Sequence, residues 1–350
     1  MLLSRIAVSL LLSALCGGLL AFAAPTGPGS DARFVRIGTG PVGGTFFPVG
    51  GSIAIIISGP PGAAPCGRGG SCGVPGLIAA AVSTSGSPDN VRQLAAGSIE
   101  LALCQADTAR EAFAGDGAFA GHPVRSLRAI ANLFPEALHV VVREGTVHSV
   151  AELRGKRVSL GETNSGTLTA ARMVLRTAGL RLRDITPSYE RLARSVDMLV
   201  TGEIDAFFVV GGAPVTAVAM AAERMPVSLL PIAAGDADKI IAAHPQFMAA
   251  HIPAGTYAGV DDTPTVAVRA QLVALASMPD ELVFAITQAL WDPRNRKLLD
   301  INPIGGQIRV ETAAEHLAVP LHPGARRYYT ERAATSPGER SDARMPVPDR

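Results

Sequence analysis

Hydrophobic and polar positions alternate along this chain with two different periods. Residues 33–38 alternate one by one and predict a first strand. Residues 46–58 are apolar nearly throughout and predict a buried helix. The stretch 58–76 is dense in Gly and Pro and predicts an irregular loop. Strands are then expected over 77–82 and 101–104, with helices over 89–97 and 107–113. Residues 127–133 and 138–142 read as two separate strands, followed by a helical turn at 150–153. The pattern resumes with a strand over 156–161 and a helix over 167–179, ended by Gly179. Further on come a helix over 195–202, a strand over 206–210, a helix over 214–225 and a strand over 227–232. A long strand over 264–275 and an amphipathic helix over 280–291 close the regular part. Pro323 opens a terminal helix whose Tyr328 and Tyr329 should pack it onto the first half of the fold.

Strands alternating with helices predict an α/β fold with mostly parallel pairing. The two strand–loop–helix units beginning at Arg33 and Lys156 are of one kind. They suggest two similar lobes rather than one large sheet. At the N-terminus, Arg5 precedes an apolar run from Ile6 to Phe22, and Ala21-Phe22-Ala23 follows the A-x-A pattern. These features describe a secretory signal peptide over residues 1–23, cut after Ala23. The run is shorter than the ~20 residues a membrane span needs. Cys16 is a poor lipid-attachment site, because bulky Leu15 precedes it. Residues 24–32 read as a linker, and 331–350 as a disordered polar tail.

Composition narrows the classes. The 350 residues carry 31 Lys+Arg against 30 Asp+Glu, and loss of Arg5 with the signal leaves no net charge. Such a chain offers no electrostatic footprint for nucleic acid. With 48% hydrophobic and 17% charged residues it can build two cored domains. Export permits disulfides, and Cys66 and Cys72 can pair within the Gly-rich loop. Cys104 lies in an apolar run and is expected as a buried free thiol.

Three loops carry candidate chemistry. Gly38-Thr39-Gly40-Pro41-Val42-Gly43 fits G-x-G-x-x-G, but no acidic residue stands about 20 positions on to hold a ribose. A glycine-rich turn into a helix still presents free N–H groups to a small anion, or is simply a capped turn. Gly161 to Thr167 forms the equivalent loop of the second lobe, with a carboxylate as its natural guest. The hydroxyl-rich loop at Ser85, Gly86 and Ser87 is either a helix cap with Asp89 or a ligand contact. Asp107 is either an N-cap or, facing a cleft, a partner for an ammonium group. Gly69 to Gly73 matches G-x-S-x-G but lacks the flanking strand and helix of a nucleophile elbow. The seven histidines show no metal spacing, and no phosphate-binding Walker loop is present.

Taken in order, several segments resemble the TAXI family, the substrate-binding proteins of tripartite ATP-independent periplasmic (TRAP) transporters. They are IGTGPVGGTFFPVGG (37–51), STSGSPDNVRQLAAG (83–97), CQADTAREAFAG (104–115), LRAIANLFPEALHVVVR (127–143) and VAELRGKRVSLGETNSGT (150–167). DAFFVVGGAP (205–214), IPAGTYAGV (252–260) and PLHPGARRYY (320–329) extend the resemblance over about residues 33–330. The Cys66–Cys72 insertion is also similar to one found in part of that family.

The resemblance implies a two-lobed periplasmic-binding-protein fold of type II with a ligand cleft between the lobes. Lobe I would comprise 33–137 and 258–330, lobe II 138–257, with hinges near His139 and Tyr257. It implies a small acidic ligand, often glutamate, glutamine or a 2-oxo acid, and delivery to an integral TRAP membrane component. A periplasmic monomer is expected, and residue spacing shows no catalytic set and no metal or cofactor site. Carried over by motif, the ligand-binding positions are Gly43, Gly44 and Thr45; Ser85, Gly86 and Ser87; Gln105 and Asp107; Glu162, Ser165, Gly166 and Thr167; and Gly211 to Pro214. Where the family often shows tyrosines after Gly-Gly-Thr, this chain has Phe46 and Phe47, so a phenolic hydrogen bond would be missing. Two alternatives remain at this stage: a sensor subunit binding the same ligand, and an enzyme on the same two-lobed scaffold.

Overall fold

A computed structural model describes residues 32–335. The expected signal peptide, most of the linker and residues 336–350 lie outside the described residues. The elements in chain order are β1 (Arg33–Gly38), α1 (Phe46–Ile57), β2 (Leu77–Val82), α2 (Ser87–Ala95), β3 (Leu101–Gln105) and α3 (Ala106–Ala114). There follow β4 (Leu127–Arg143), β5 (Arg157–Ser159), α4 (Gly166–Thr177), β6 (Thr186–Ser188), α5 (Leu192–Thr201), β7 (Ala206–Gly211) and α6 (Thr216–Arg224). The chain ends with β8 (Val227–Leu229), α7 (Ala234–Ala243), β9 (Phe247–Ile252), β10 (Thr263–Leu275), α8 (Asp280–Leu290), α9 (Arg296–Asp300) and α10 (Pro323–Thr335). Among the described residues no helix is long and apolar enough to cross a membrane.

These strands form one sheet in the order β2-β1-β3-β10-β4-β7-β5-β6, with β8 added to β4 and β9 to β10. Parallel strands occupy both ends, and the long antiparallel pair β4 and β10 runs through the middle. The expectation of two separate sheets is therefore corrected: two lobes exist, but hydrogen bonding runs unbroken between them. The cause is β4, which pairs with β10 over its first part and with β7 over its last. The sequence reading left a gap between Leu133 and Leu138, and this gap contains Pro135, which has no N–H to donate. The structure keeps Pro135 opposite Arg269 and absorbs the irregularity in two register shifts nearby.

Each lobe has helices on both faces of its part of the sheet. In the first lobe, Val35, Ile37, Ile53, Leu272, Ile286 and Trp291 pack on one face, and Val91, Leu94, Ala109 and Phe119 on the other. In the second lobe, Val158, Leu168, Val174 and Ile240 fill one face, and Val196, Leu199, Val218 and Tyr257 the other. Burial of this apolar surface, at about 25 cal/mol per Å², is the main term holding each lobe together. Tyr329 ties α10 to the first lobe as expected, donating to the Ile130 carbonyl at 3.0 Å and accepting from Trp291 Nε1 at 3.0 Å. This helix continues to Thr335, into the segment expected as tail. Helix α7 and strand β9 had no counterpart in the sequence reading. Cys66 and Cys72 form a disulfide in the 58–76 loop, and Cys104 is free and buried.

Candidate functional site

The loops that follow β1, β2, β5 and β7 and the direct junction of β3 with α3 at Gln105 meet where the two lobes face each other. This is the crevice beyond the carboxyl ends of strands, where α/β sheets gather ligands. The lobes touch across it. Gly43 O accepts the Ala217 N–H at 3.1 Å, and Asn164 O accepts the Asp89 N–H at 3.3 Å. Thr45 Oγ1 donates to Gly212 O at 3.0 Å, and Arg92 donates to Asn164 Oδ1 at 3.1 Å. At one edge Ser85 Oγ lies 3.5 Å from Glu162 Oε1. These contacts bring the two sides together around a small, partly open cavity of about 60 Å³.

Ten positions singled out in the sequence line this cavity: Gly44, Thr45, Ser85, Gly86, Ser87, Gln105, Glu162, Ser165, Gly166 and Thr167. Their hydroxyls are largely committed to the protein. Ser87 Oγ accepts the Gln105 N–H at 3.0 Å, and Thr167 Oγ1 accepts the Val210 N–H at 3.3 Å. Ser165 caps α4 by accepting from Leu168 N at 3.1 Å and donates to Glu162 O at 2.7 Å. Of the amides expected to hold a carboxylate, those of Gly44–Thr45 and Ser165–Thr167, two are already paired within the protein. Gly44 N–H donates to Pro41 O at 2.9 Å and Ser165 N–H to Glu162 O at 3.0 Å, because each tight turn satisfies itself. The donors that helix geometry leaves open are at the residues that follow, Phe46 and Phe47 of α1 and the expected Gly166 and Thr167 of α4. Pro48 removes a third donor from α1.

A Cβ on Gly166 would overlap the end of the Gln105 side chain of the other lobe, so a larger residue there requires that side chain to move. Gly86, the N-cap of α2, has φ +117°, a conformation that favours glycine.

The structure does not bring Gly43, Asp107, Gly211 or Pro214 into the lining. Gly43 and Gly211 stand behind Thr45 and the α6 entrance: the Gly43 carbonyl is taken by Ala217, and a Cβ on Gly211 would sit 2.9 Å from Thr45 Oγ1. Pro214 follows them into the loop before α6. Asp107 lies in the first turn of α3, and about 100° of rotation per residue carries it away from the side of Gln105. It lines a different depression, with Glu111, Thr169, Met173 and Arg176. Burial there pushes its carboxyl up to about 7, partly offset by the Thr108 N–H.

Several lining residues were missed: Glu136, Glu190, Leu192, Ser195 and the Phe208–Val210 segment of β7. Glu136 is the most informative. It is 2% exposed on β4, and its Oε2 has no hydrogen-bond partner among the described residues. Burial pushes this carboxyl well above the usual range, Asp107 pushes it further, and the Gln105 amide pulls it back. A single carboxylate inside the apolar run LRAIANLFPEALHVVVR was the available signal. Glu162 is also raised by burial, against the pull of Arg191 at 3.6 Å. Of the two substituted phenylalanines, Phe46 lines the cavity and packs edge-on against Phe134 at 6.3 Å. Outside the cleft, Cys66, Cys72 and Asp292 cluster, but both sulfurs are held in the disulfide.

The chain is similar to several solved structures. One is the periplasmic aliphatic sulphonate binding protein SsuA from Escherichia coli, at 15% identity over 86% of this chain and 88% of that one, with a TM-score of 0.42. Another is the alkanesulfonate-binding protein SsuA from Xanthomonas axonopodis pv. citri bound to MOPS, at 18% identity over 85% and 83%, TM-score 0.44. A third is a TctC solute binding protein from Polaromonas, at 15% identity over 77% and 88%, TM-score 0.41. The model of the NMT1-like family matches residues 37–332, and the chain belongs to that family.

Proposed function

We propose that this protein is an extracytoplasmic solute-binding protein. It captures a small carboxylate by closure of its two lobes and delivers it to a TRAP-type membrane transporter. The observation that carries this reading is that the first residues of α1 and α4, one helix from each lobe, line the same small cavity. Their unpaired first-turn N–H groups and positive dipole ends favour an anion without any Lys or Arg in the wall. Closure excludes water and strengthens such contacts. In this reading residues 1–23 are removed on export. Lobe I takes 33–137 and 258–330, and lobe II takes 138–257. The proposed hinge residues are neighbours: Tyr257 OH lies 2.9 Å from His139 Nε2 and accepts the Val215 N–H at 2.8 Å. With Nδ1 donating to the Ala137 carbonyl at 3.0 Å, Nε2 is left to accept from the tyrosine. The function is binding rather than turnover. The wall hydroxyl of Ser195 pairs with Ser159 at 2.7 Å and donates to the Arg191 carbonyl, not to a base.

Thermal-shift screening of the mature, ligand-stripped protein against amino acids, 2-oxo acids and dicarboxylates tests this reading. A true ligand at 100 times its Kd should stabilise the fold by about 2.7 kcal/mol. A flat response across the whole library from folded protein would remove carboxylate capture as the function.

A further inference from the structure

We propose that closure of the two lobes takes up a proton at Asp107, so that ligand capture is coupled to pH through a residue outside the cavity wall. This rests on the solute-binding reading above and concerns the groove between α3 and α4. Asp107 and Glu111 stand one turn apart on α3 and line a depression of about 350 Å³. Its other side comes from the proposed second lobe, through Thr169, Met173 and Arg176 of α4 and His244 and Phe247 beyond α7. Helix periodicity sets Thr169 and Met173 on the same face of α4 as Gly166, whose Cβ would meet Gln105. The stripe that meets Gln105 at the cleft therefore continues along α4 over Asp107. Ala106, beside Asp107, belongs to the same buried cluster as Leu168 and Met173 of α4. Asp107 itself is 5% exposed, and its Oδ1 has no hydrogen-bond partner among the described residues.

Burial of this kind penalises the charged form. It pushes the Asp107 carboxyl up to about 7 against an ordinary 3.8, and outweighs the Thr108 N–H and Arg110, which favour the ionised form; Glu111 adds to the rise. The neighbours on other strands are acids held toward their neutral forms, the Cys104 thiol on β3 and the Glu136 carboxyl on β4, both raised by burial first and then by Asp107. Across the groove stand Arg176 of α4 and His244. Separation of α4 from α3 admits water to the groove and returns the Asp107 carboxyl toward its ordinary value. Between about pH 4 and 7 the closed form therefore holds a proton that the open form releases. Closure takes that proton up, and binding tightens as pH falls through this window. Above it Asp107 is ionised in both forms and the coupling fades.

Calorimetric titrations of the ligand-stripped mature protein test this, in buffers of differing ionisation enthalpy that count the protons exchanged. The probes are glutamate, glutamine, 2-oxoglutarate and pyruvate, with the rest of the carboxylate library behind them. The expected result for a probe that binds is uptake of close to one proton at about pH 6, fading above about pH 8, with affinity about tenfold or more higher at about pH 5.5 than at about pH 8. Asp107→Asn should abolish both effects. Binding with no proton uptake, or with proton release, overturns the proposal and leaves carboxylate capture standing. Uptake unchanged in Asp107→Asn overturns the role of Asp107. Should that variant fail to fold, carbon-13 NMR of the wild type with labelled aspartate carboxyls decides. One aspartate must be ionised without the probe and protonated with it at about pH 6, and absence of such a resonance overturns the proposal. Binding of no member of the library overturns the solute-binding reading, and this proposal with it.

Discussion

Thr45, Ser87, Ser165 and Thr167 commit their hydroxyls to neighbours within the protein, while Glu136 and Gln105 each bury an acceptor that has no partner among the described residues. The hydroxyl-rich loops were legible as sequence because short polar residues between strand and helix are a local signal. Their division into ties and ligand contacts was not, since that depends on which backbone group each loop meets. Glu136 was passed over for a related reason: a lone carboxylate in an apolar run gains meaning only when the fold shows how deeply it is buried. Asp107 gives a prediction at this scale. Its folded carboxyl lies near 7 against an ordinary 3.8. The folded chain therefore holds a proton that the unfolded chain releases. The corresponding stability is fully present below pH 3.8 and is lost as pH rises through 7. Asp107→Asn removes that loss. It should raise the thermal midpoint more at pH 8 than at pH 5, by the equivalent of about 1–3 kcal/mol. An equal change at both values would mean that Asp107 is not held protonated in the fold.

Among elements, those with strong local patterns were found, including β1, α1, β2, α4, α8 and α10. Helix α7 and strand β9 were not, because the short run Ala234–Ala243 lacks a clear polar face and Phe247–Ile252 alternates weakly. Strand β4 was read as two, and proline is normally excluded from a strand interior; here Pro135 is accommodated in the pairing with β10. The close approach of α4 to Gln105 can be tested directly. Gly166→Ala puts a methyl where Gln105 stands in the closed form. In the proposed lobe division the two residues lie on opposite sides of the cleft, so opening of the lobes would relieve the overlap. Affinity for the best ligand from the screen should fall by about tenfold or more, while the thermal midpoint without ligand stays near that of the wild type. Unchanged affinity would show that the closed contact is not part of binding.

For the whole molecule, the near balance of 31 basic and 30 acidic residues argues against a broad attraction to polyanions, and the proposed site would hold an anion without a charged side chain. Oriented N–H groups at two helix ends act at short range and leave no trace in composition. The two-lobed α/β architecture was legible from the order of strands and helices. Its continuous sheet was not, since it arises from two long strands shared between lobes, and pairing partners distant in sequence leave no local pattern. Closure is the central claim, and a ligand can drive it only through its differential affinity for the closed form. Small-angle X-ray scattering of the stripped mature protein, with and without a saturating ligand, measures it most directly. The account predicts a smaller radius of gyration when ligand is bound, and no such compaction in Gly166→Ala. Identical scattering of the wild type in both states, with binding verified in the same sample, would contradict it.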